Sequence, residues 1–420
     1  MHRFALIGAG FIGNVHGRSL ATHPGVRFEL VADADAARAQ SLAERYGATP
    51  ATVDQVLESD VDAVLIASST DTHAALMERA AAAGKAIFCE KPFDLGAERA
   101  RVACDAVAAA GVPFMIGFNR RYDASHRAVR RAVAAGEVGR LEIIQLTNRG
   151  PTPPPIAYVK VSGGQMRDQT IHFFDLLRWL TADEPVEVYA VGAALVDPAI
   201  GEAGDVDTSV VTLRMRSGAL CQIDSSRRTA YGYDERIEVF GSAGAAESRR
   251  QQPRSMSLYR GDKVIVDGLH AGWFERMEPT YFAALDAFVR VLDAFALVRL
   301  RRTERADLSG GLADSLRVDA ADFDFSRLRR RQRDAFRRLV DDLVAVAELH
   351  LQVLALHRGA ITNARHFQVL FEPFGDALYV GRENGARRAP KRAGAICFVT
   401  RLHRELAVAE RDFNIVVRTE

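Results

Sequence analysis

The sequence predicts an α/β protein: a doubly wound parallel sheet at the N-terminus, followed by an α+β domain with a large, mostly antiparallel sheet. Three observations carry this. Over the first 120 residues short β-rich runs alternate with alanine-rich helical ones, the order of a parallel sheet with helices on both faces. The first run ends in G-x-G-x-x-G. After residue 136 strand candidates follow one another through short turns, which marks an antiparallel or mixed sheet.

In the first part "RFALIGAG" reads as a strand, "NVHGRSLATH" as a helix and "RFELVAD" as a strand. "ARAQSLAERYG" is a helix closed by Gly47, "DAVLIAS" a strand, and "THAALMERAAAAG" a helix closed by Gly84, glycine being the favoured residue just past a helix end. "AIFCE", "ERARVACDAVAAAG" and "PFMIGFN" continue the alternation. "DASHRAVRRAVAAG" is a linking helix, and "LEIIQLTN", "VEVYAVGAALV", "SVVTLRMRSG", "ALCQIDSS", "RIEVFGS", "SMSLYR" and "KVIVDG" are strands. One helix, from about residue 165 to 180, interrupts them, and "YFAALDAFVRVLDAF" closes the series as another helix. The expected domains are 1–120 for a dinucleotide, 121–295 for substrate and oligomerisation, and an atypical tail at 296–420.

At 420 residues with 26% charged residues and a formal net charge of +1, the chain has no global pull toward nucleic acid or anionic membrane. No apolar run approaches the roughly 20 residues of a membrane helix, and no signal peptide is visible in "MHRFALIGAG". Cys89, Cys104, Cys221 and Cys397 show no CxxC spacing, which argues against zinc sites and disulfide frameworks. A cytoplasmic location, with no membrane, nucleic-acid or metal partner, is the expectation.

The glycines of "GAGFIG", Gly8, Gly10 and Gly13, follow a strand and open a helix together with Phe11 and Ile12. In that context they form a pyrophosphate cradle at a helix N-terminus. Asp33 ends the next strand, twenty positions beyond Gly13. A carboxylate there accepts hydrogen bonds from the adenosine ribose and repels a 2′-phosphate, which favours NAD over NADP; Arg38 nearby is the feature that points the other way. "SSTDTH" leaves a strand at the same sheet edge, so Ser68, Ser69, Thr70 and His73 are candidate cofactor contacts, as are Glu90 and Lys91 of "FCEKPF". Lys91 is placed either beside a nicotinamide or as a plain surface lysine, with Pro92 fixing the turn and able to adopt a cis bond. Asp168 and His172 stand at i, i+4 on one helix face. They read either as an acid that orients an imidazole or as a favourable N-terminal acid and a core histidine.

"GAGFIG", "CEKP", "GFNRRYD" and "GGQMRDQTIHFFDLLRWL" in this order resemble the Gfo/Idh/MocA family of NAD(P)-dependent oxidoreductases, over residues 1 to about 295. Within it, "NRGPTPPPIAYVKVSGG" with "RDQTIHFFD", and later "YGYDERIEVFGS", are similar to inositol 2-dehydrogenases. The resemblance implies a Rossmann fold for the first domain, NAD as cofactor, and oxidation of a cyclitol secondary alcohol, myo-inositol to 2-keto-inositol. It implies Lys91, Asp168 and His172 as catalytic residues, with His172 the base, Asp168 orienting it and Lys91 on the carbinol oxygen. Tyr233, Asn119 and Arg149 become substrate contacts, with Asn148 adjacent. Gly150 stands where certain inositol dehydrogenases carry asparagine. A homotetramer built through the open face of the second sheet is also implied. The rival functions are another sugar or polyol dehydrogenase, or a nucleotide-sensing regulatory protein without turnover.

Beyond about residue 296 the resemblance stops. Lys391 is the only lysine there, and arginine clusters such as "RLRRRQRDAFRR" appear. A shifted reading frame, an appended helical domain built on "DAFRRLVDDLVAVAELHLQVLALH", and a nucleic-acid-binding arm are the three readings. The first expects few contacts with the body and irregular or poorly ordered chain after about residue 300.

Overall fold

The computed structural model describes residues 1–308, 367–370 and 379–382. The chain divides into two compact units, one of residues 1–103 and 116–286, the other of residues 104–115 and 287–420. The expectations for the tail lie outside the described residues, apart from the antiparallel strands Phe367–Leu370 and Tyr379–Arg382 and the helix that runs through residue 296 to Leu308.

The first unit opens with β1 (His2–Ile7), α1 (Phe11–Thr22), β2 (Val26–Ala32), α2 (Ala36–Tyr46), β3 (Thr49–Ala51), α3 (Val53–Glu58), β4 (Ala63–Ile66), α4 (Thr70–Ala82) and β5 (Ala86–Cys89). The strands pair in parallel in the order β3-β2-β1-β4-β5. Strands β4 and β5 are buried at every position, as parallel strands covered on both faces must be. Local chemistry fixes the helix ends. Asp35 accepts from the Ala37 and Arg38 N–H groups at the start of α2, Gly47 closes α2 in the left-handed region, and Thr52 with Gln55 forms a capping box on α3. The short β3 was not foreseen, being three residues long and carrying a proline. α5 (Ala97–Ala110) and β6 (Phe114–Ile116) complete the alternation.

A 3-10 turn (Asn119–Tyr122) and α6 (Ala124–Ala134) lead into the second sheet. Its strands are β7 (Leu141–Arg149), β8 (Pro185–Ala193), β9 (Thr208–Met215), β10 (Leu220–Ser226), β11 (Asp234–Gly241) and β12 (Gly244–Ser248), in the order β12-β11-β7-β10-β9-β8. All neighbours are antiparallel except β10 and β7. Alternation along β9, β10 and β11 sends Val211, Leu213, Cys221, Ile223, Ile237 and Val239 to one face. There they meet Val129 of α6 and Phe173, Leu176, Leu177 and Leu180 of the helix at residues 171–181. The hairpin β13 (Ser257–Arg260) and β14 (Lys263–Val266) stands outside this sheet.

The helix expected near residues 165–180 is a π-helical turn (Met166–Thr170) continued directly by α8 (Ile171–Thr181), and an unforeseen α7 (Ile156–Ser162) precedes it. Gly163 and Gly164, both at φ +83°, separate α7 from the π-turn. A short α9 (Pro198–Glu202) was also unforeseen, and α10 begins at Trp273, eight residues before the expected helix start at Tyr281. Its Pro279 lies inside the helix, which hid those first two turns from a pattern reading.

Candidate active site

The glycine loop is shaped for a phosphate. Gly8 sits at φ +107°, and a Cβ there would lie 2.5 Å from the Ala67 and Ser68 main chain. A Cβ on Gly13 would lie 2.0 Å from the Gly8 carbonyl oxygen. A Cβ on Gly10 would meet nothing within 4 Å. The N-terminus of α1 has neither a side-chain cap nor an acidic residue in its first turn. Its N–H groups and dipole therefore suit an anion. Asp33 is pinned at the end of β2, where Oδ2 accepts from the Ala9 N–H (2.6 Å) and Oδ1 from the Asp35 N–H (2.8 Å). Each oxygen retains a lone pair for a ribose hydroxyl. Arg38 pairs with Asp35 at 3.2 Å. These residues fit the adenosine and pyrophosphate of a dinucleotide.

The other cofactor candidates divide. Phe11 is 62% exposed, edge-on to Trp273 and Phe274, while Ile12 packs beside Val15, Met277 and Tyr281. Ser69 and Thr70 stand at the start of α4, and Ser68 Oγ lies 2.7 Å from Thr72 Oγ1. His73 is turned inward, with Nδ1 2.7 Å from the Pro92 carbonyl and Nε2 3.1 Å from the Ser68 carbonyl. Glu90 is buried against His16 at 2.7 Å. The Lys91–Pro92 bond is cis.

Lys91 leaves the end of β5 and meets the π-helical turn. Its ammonium donates to the Asp168 carbonyl at 2.9 Å and to Asp168 Oδ1 at 3.4 Å, both side chains being 17% exposed. Tyr158 of α7 donates to Asp168 Oδ1 at 2.9 Å, and Arg227 approaches Oδ2 at 3.4 Å. Burial pushes the Asp168 carboxyl up, but the charges of Lys91 and Arg227 and the Tyr158 hydrogen bond outweigh it, and Asp168 lies below the usual carboxylate range.

His172 is buried in the first turn of α8, and no hydrogen bond joins it to Asp168, contrary to the expectation that the acid orients the imidazole. The reason is the helix itself: residues 166–170 wind as a π-turn, with i→i+5 rather than i→i+4 closure, so the two side chains leave the stacked α-helical register. Nε2 of His172 instead takes a hydrogen bond from Arg120 Nη1 at 3.1 Å, and Nδ1 has no protein partner. A guanidinium only donates, so Nε2 is the unprotonated nitrogen. Burial, then the charges of Arg120 and Lys91, push the imidazolium far down, leaving a neutral ring.

Arg120, like Arg227 and Glu235, is a residue that the sequence does not single out. It is buried, and besides His172 it reaches Asn119 Oδ1 (2.9 Å), Tyr233 Oη (3.4 Å) and Glu235 Oε2 (3.5 Å). Asn119 is spent on this arginine and on Thr280, to which its amide donates at 2.8 Å. Tyr233 donates to Glu235 at 2.5 Å. Arg149 is paired with Asp224 (2.5 Å) on the sheet's open face, and Asn148 donates to the Gln169 carbonyl at 3.3 Å. As substrate contacts, Asn119 and Arg149 are thus already engaged, whereas Tyr233 shares Arg120 with His172.

Residues 2–118 match the model of an oxidoreductase family with an NAD-binding Rossmann fold, and residues 126–247 match the GFO/IDH/MocA C-terminal domain. An inositol 2-dehydrogenase of Rhizobium meliloti (strain 1021) is 45% identical over 292 residues, 69% of this chain and 88% of that protein. The chain belongs to the Gfo/Idh/MocA oxidoreductase family. A myo-inositol 2-dehydrogenase of Thermotoga maritima is 39% identical over 295 residues, 69% of this chain and 87% of that protein. The crystal structure of a myo-inositol dehydrogenase from Corynebacterium glutamicum ATCC 13032 superposes with a TM-score of 0.66 at 37% identity, over 69% of this chain and 88% of that one.

In this Gfo/Idh/MocA chain the polar cluster behind His172 rests on Glu235, a fully enclosed carboxylate held by His126 Nε2 (2.9 Å), Tyr233 and Arg120. Burial raises its pKa, but the Arg120 charge, the His126 hydrogen bond and the Tyr233 hydroxyl bring it down to about 2 from 4.5. A depressed acid stabilises the fold fully above its unfolded pKa and loses that contribution as pH falls toward the folded value. Glu235→Gln should therefore lower unfolding stability by about 3 kcal/mol at neutral pH. The deficit should shrink between about pH 4.5 and pH 2; urea midpoints of both proteins across that range check it.

Proposed function

We propose that this chain is an NAD-dependent dehydrogenase that oxidises a cyclitol secondary alcohol, with myo-inositol and its 2-keto product as the first pair to test. The observation that carries this reading is the meeting of Lys91 with Asp168 beside a buried, neutral His172, within a chain whose relatives act on inositols by name. NAD, when bound, supplies the hydride acceptor. His172 takes the carbinol proton at Nε2, the nitrogen with the free lone pair once the Arg120 guanidinium exchanges its hydrogen bond for a substrate oxygen. Lys91 donates to the carbinol oxygen and disperses its growing negative charge. Asp168 holds Lys91 rather than His172, with Tyr158 and Arg227 fixing the carboxylate in turn. Gly8, Gly10, Gly13 and Asp33 would hold the dinucleotide, and Tyr233 and Arg120 offer donors to further ring hydroxyls.

His172→Ala should lower kcat about a hundredfold to ten-thousandfold, and Lys91→Met about a hundredfold or more, each with NAD affinity nearly unchanged. NADH absorbance with a panel of cyclitols and aldoses measures this. Absence of NADH with every polyol, in protein that binds NAD, overturns the proposal and leaves a nucleotide-binding protein without turnover.

Asp33 supports preference for NAD over NADP, since its carboxylate is fixed by two main-chain N–H groups and Arg38 is occupied by Asp35. Asp33→Ala should weaken NAD binding about tenfold, the size of a lost charge-assisted hydrogen bond, and narrow the NAD to NADP ratio. Tighter NADP binding by the unaltered protein in a calorimetric titration would refute it.

The open face of the second sheet supports self-association, with a homotetramer as the proposed state. β8 is exposed at all nine positions. One row of the face brings Phe240, Ile143 and Leu220 side by side, and Val191 pairs with Val210, all five of them exposed. Contiguous apolar surface of this kind marks an interaction site. Replacing Ile143 and Leu220 by Asp should shift the sedimentation-derived mass toward the single chain; a monomeric parent protein contradicts the assembly.

A further inference from the structure

Glu90, which immediately precedes Lys91, is a buried carboxylate with no part in the chemistry above. Its Oε1 accepts from His16 Nε2 at 2.7 Å, and its Oε2 accepts from the Lys91 main-chain N–H at 3.2 Å. Gly117 makes room on a third side, since a Cβ there would lie 3.0 Å from the carboxylate carbon and both of its oxygens. His16 comes from α1, the helix that the glycine loop opens, and its ring is wholly enclosed. The ring packs edge-on against Phe88 and Tyr281, with centroids at 5.4 Å in both cases, and its Nδ1 has no protein partner. Burial raises the Glu90 carboxyl, yet the His16 hydrogen bond and the charges of His16 and Lys91 bring it below its ordinary value. A charged carboxylate requires a donor, so His16 presents Nε2–H to it. An apolar residue at 90 would fill this space without the expense of desolvating an acid; what the acid adds is a fixed negative charge and an acceptor at the lysine's own peptide.

We infer that His16 is a positioning residue for Lys91, acting through Glu90 to tie the lysine's main chain and charge surroundings to the helix that receives the dinucleotide. The inference rests on the dehydrogenase reading for its effect on turnover, but not for its effect on Lys91 itself.

Two variants separate it from a packing role: His16→Phe keeps the ring contacts and removes the donor, while His16→Gln keeps an amide donor of similar reach. The first readout needs no substrate. Lys91 is acylated by an amine-directed reagent and followed by peptide mass, with Lys160 and Lys263 as internal references. His16→Phe should change the Lys91 rate at least threefold with the references unchanged, and His16→Gln should return it toward the parent value. The second readout is steady-state kinetics. His16→Phe should lower kcat about ten- to a hundredfold, the size of one lost charge-assisted hydrogen bond, with KM for the polyol and NAD dissociation within about threefold, and His16→Gln should recover most of the loss. Should His16→Phe fail to fold, Glu90→Gln carries the same two measurements. An unchanged Lys91 acylation rate overturns the inference, as does a glutamine variant no better than phenylalanine. A parent protein inactive on every polyol overturns the functional proposal instead and leaves the acylation result to decide this one.

Discussion

The Lys91 ammonium reaches from the end of β5 to the π-turn before α8 and finds there both the carbonyl and the carboxylate of a residue 77 positions later. A lysine cannot be drawn this far from water without an anion, and the strand that carries it supplies only Glu90, whose carboxylate is taken by His16. The pairing with Asp168 thus joins the end of β5 to the turn before α8. It explains why Asp168 itself is so heavily attended: Tyr158 and Arg227 offset the desolvation that a carboxylate meets at 17% exposure.

The parallel half of the fold was legible because its signals are local. Buried strands such as "AVLI" and "AIFC" read as continuous apolar runs, and Asp35, Thr52 and Gly47 mark helix ends by their own chemistry. The glycine loop was legible as a motif: Gly8 and Gly13 answer to close main-chain contacts, while Gly10 leaves its side of the loop open. Lys91, Asp168 and His172 were readable as types of residue at strand and helix ends. How they pair was not, since an i, i+4 spacing assumes α-helical winding, and no residue between 166 and 170 announces a π-turn. Arg120, Arg227 and Glu235 escaped notice on similar grounds. A charged residue in sequence reads as a solvated one, whereas each of these is buried against at least one partner 50 or more residues away. The arginine pair in "GFNRRYD" was the available signal, two cations placed at the end of a strand where a solvated face has no reason to begin.

Among the described residues, the buried charges nearest His172 fall into two groups on either side of it. One runs from Lys91 through Asp168 to Arg227 and Asp205; the other runs from Arg120 through Glu235 to His126. Each cation has a carboxylate and each carboxylate has more than one donor, so neither group requires a bound ion to be electrically complete. His172 stands between them without a carboxylate of its own, facing Arg120 directly and Lys91 through space. Burial first, then the two cations nearby, with no carboxylate in contact among the described residues, keep the ring unprotonated, the state in which it can accept a proton.

That balance also bears on what the site can admit. An anionic substrate, a sugar acid or a phosphate ester, would have to draw Lys91 or Arg227 from Asp168, or Arg120 from Glu235, and would leave a buried carboxylate without its partner at a cost of several kcal/mol. A neutral polyol exchanges hydrogen bonds and leaves every pair intact: its hydroxyls both donate and accept, so they can replace His172 as the acceptor for Arg120 while offering a proton to the ring. Arg120 can therefore occupy Nε2 without excluding a substrate hydroxyl from it. The guanidinium and the imidazole are each other's partner only until a hydroxyl, which can serve both at once, comes between them.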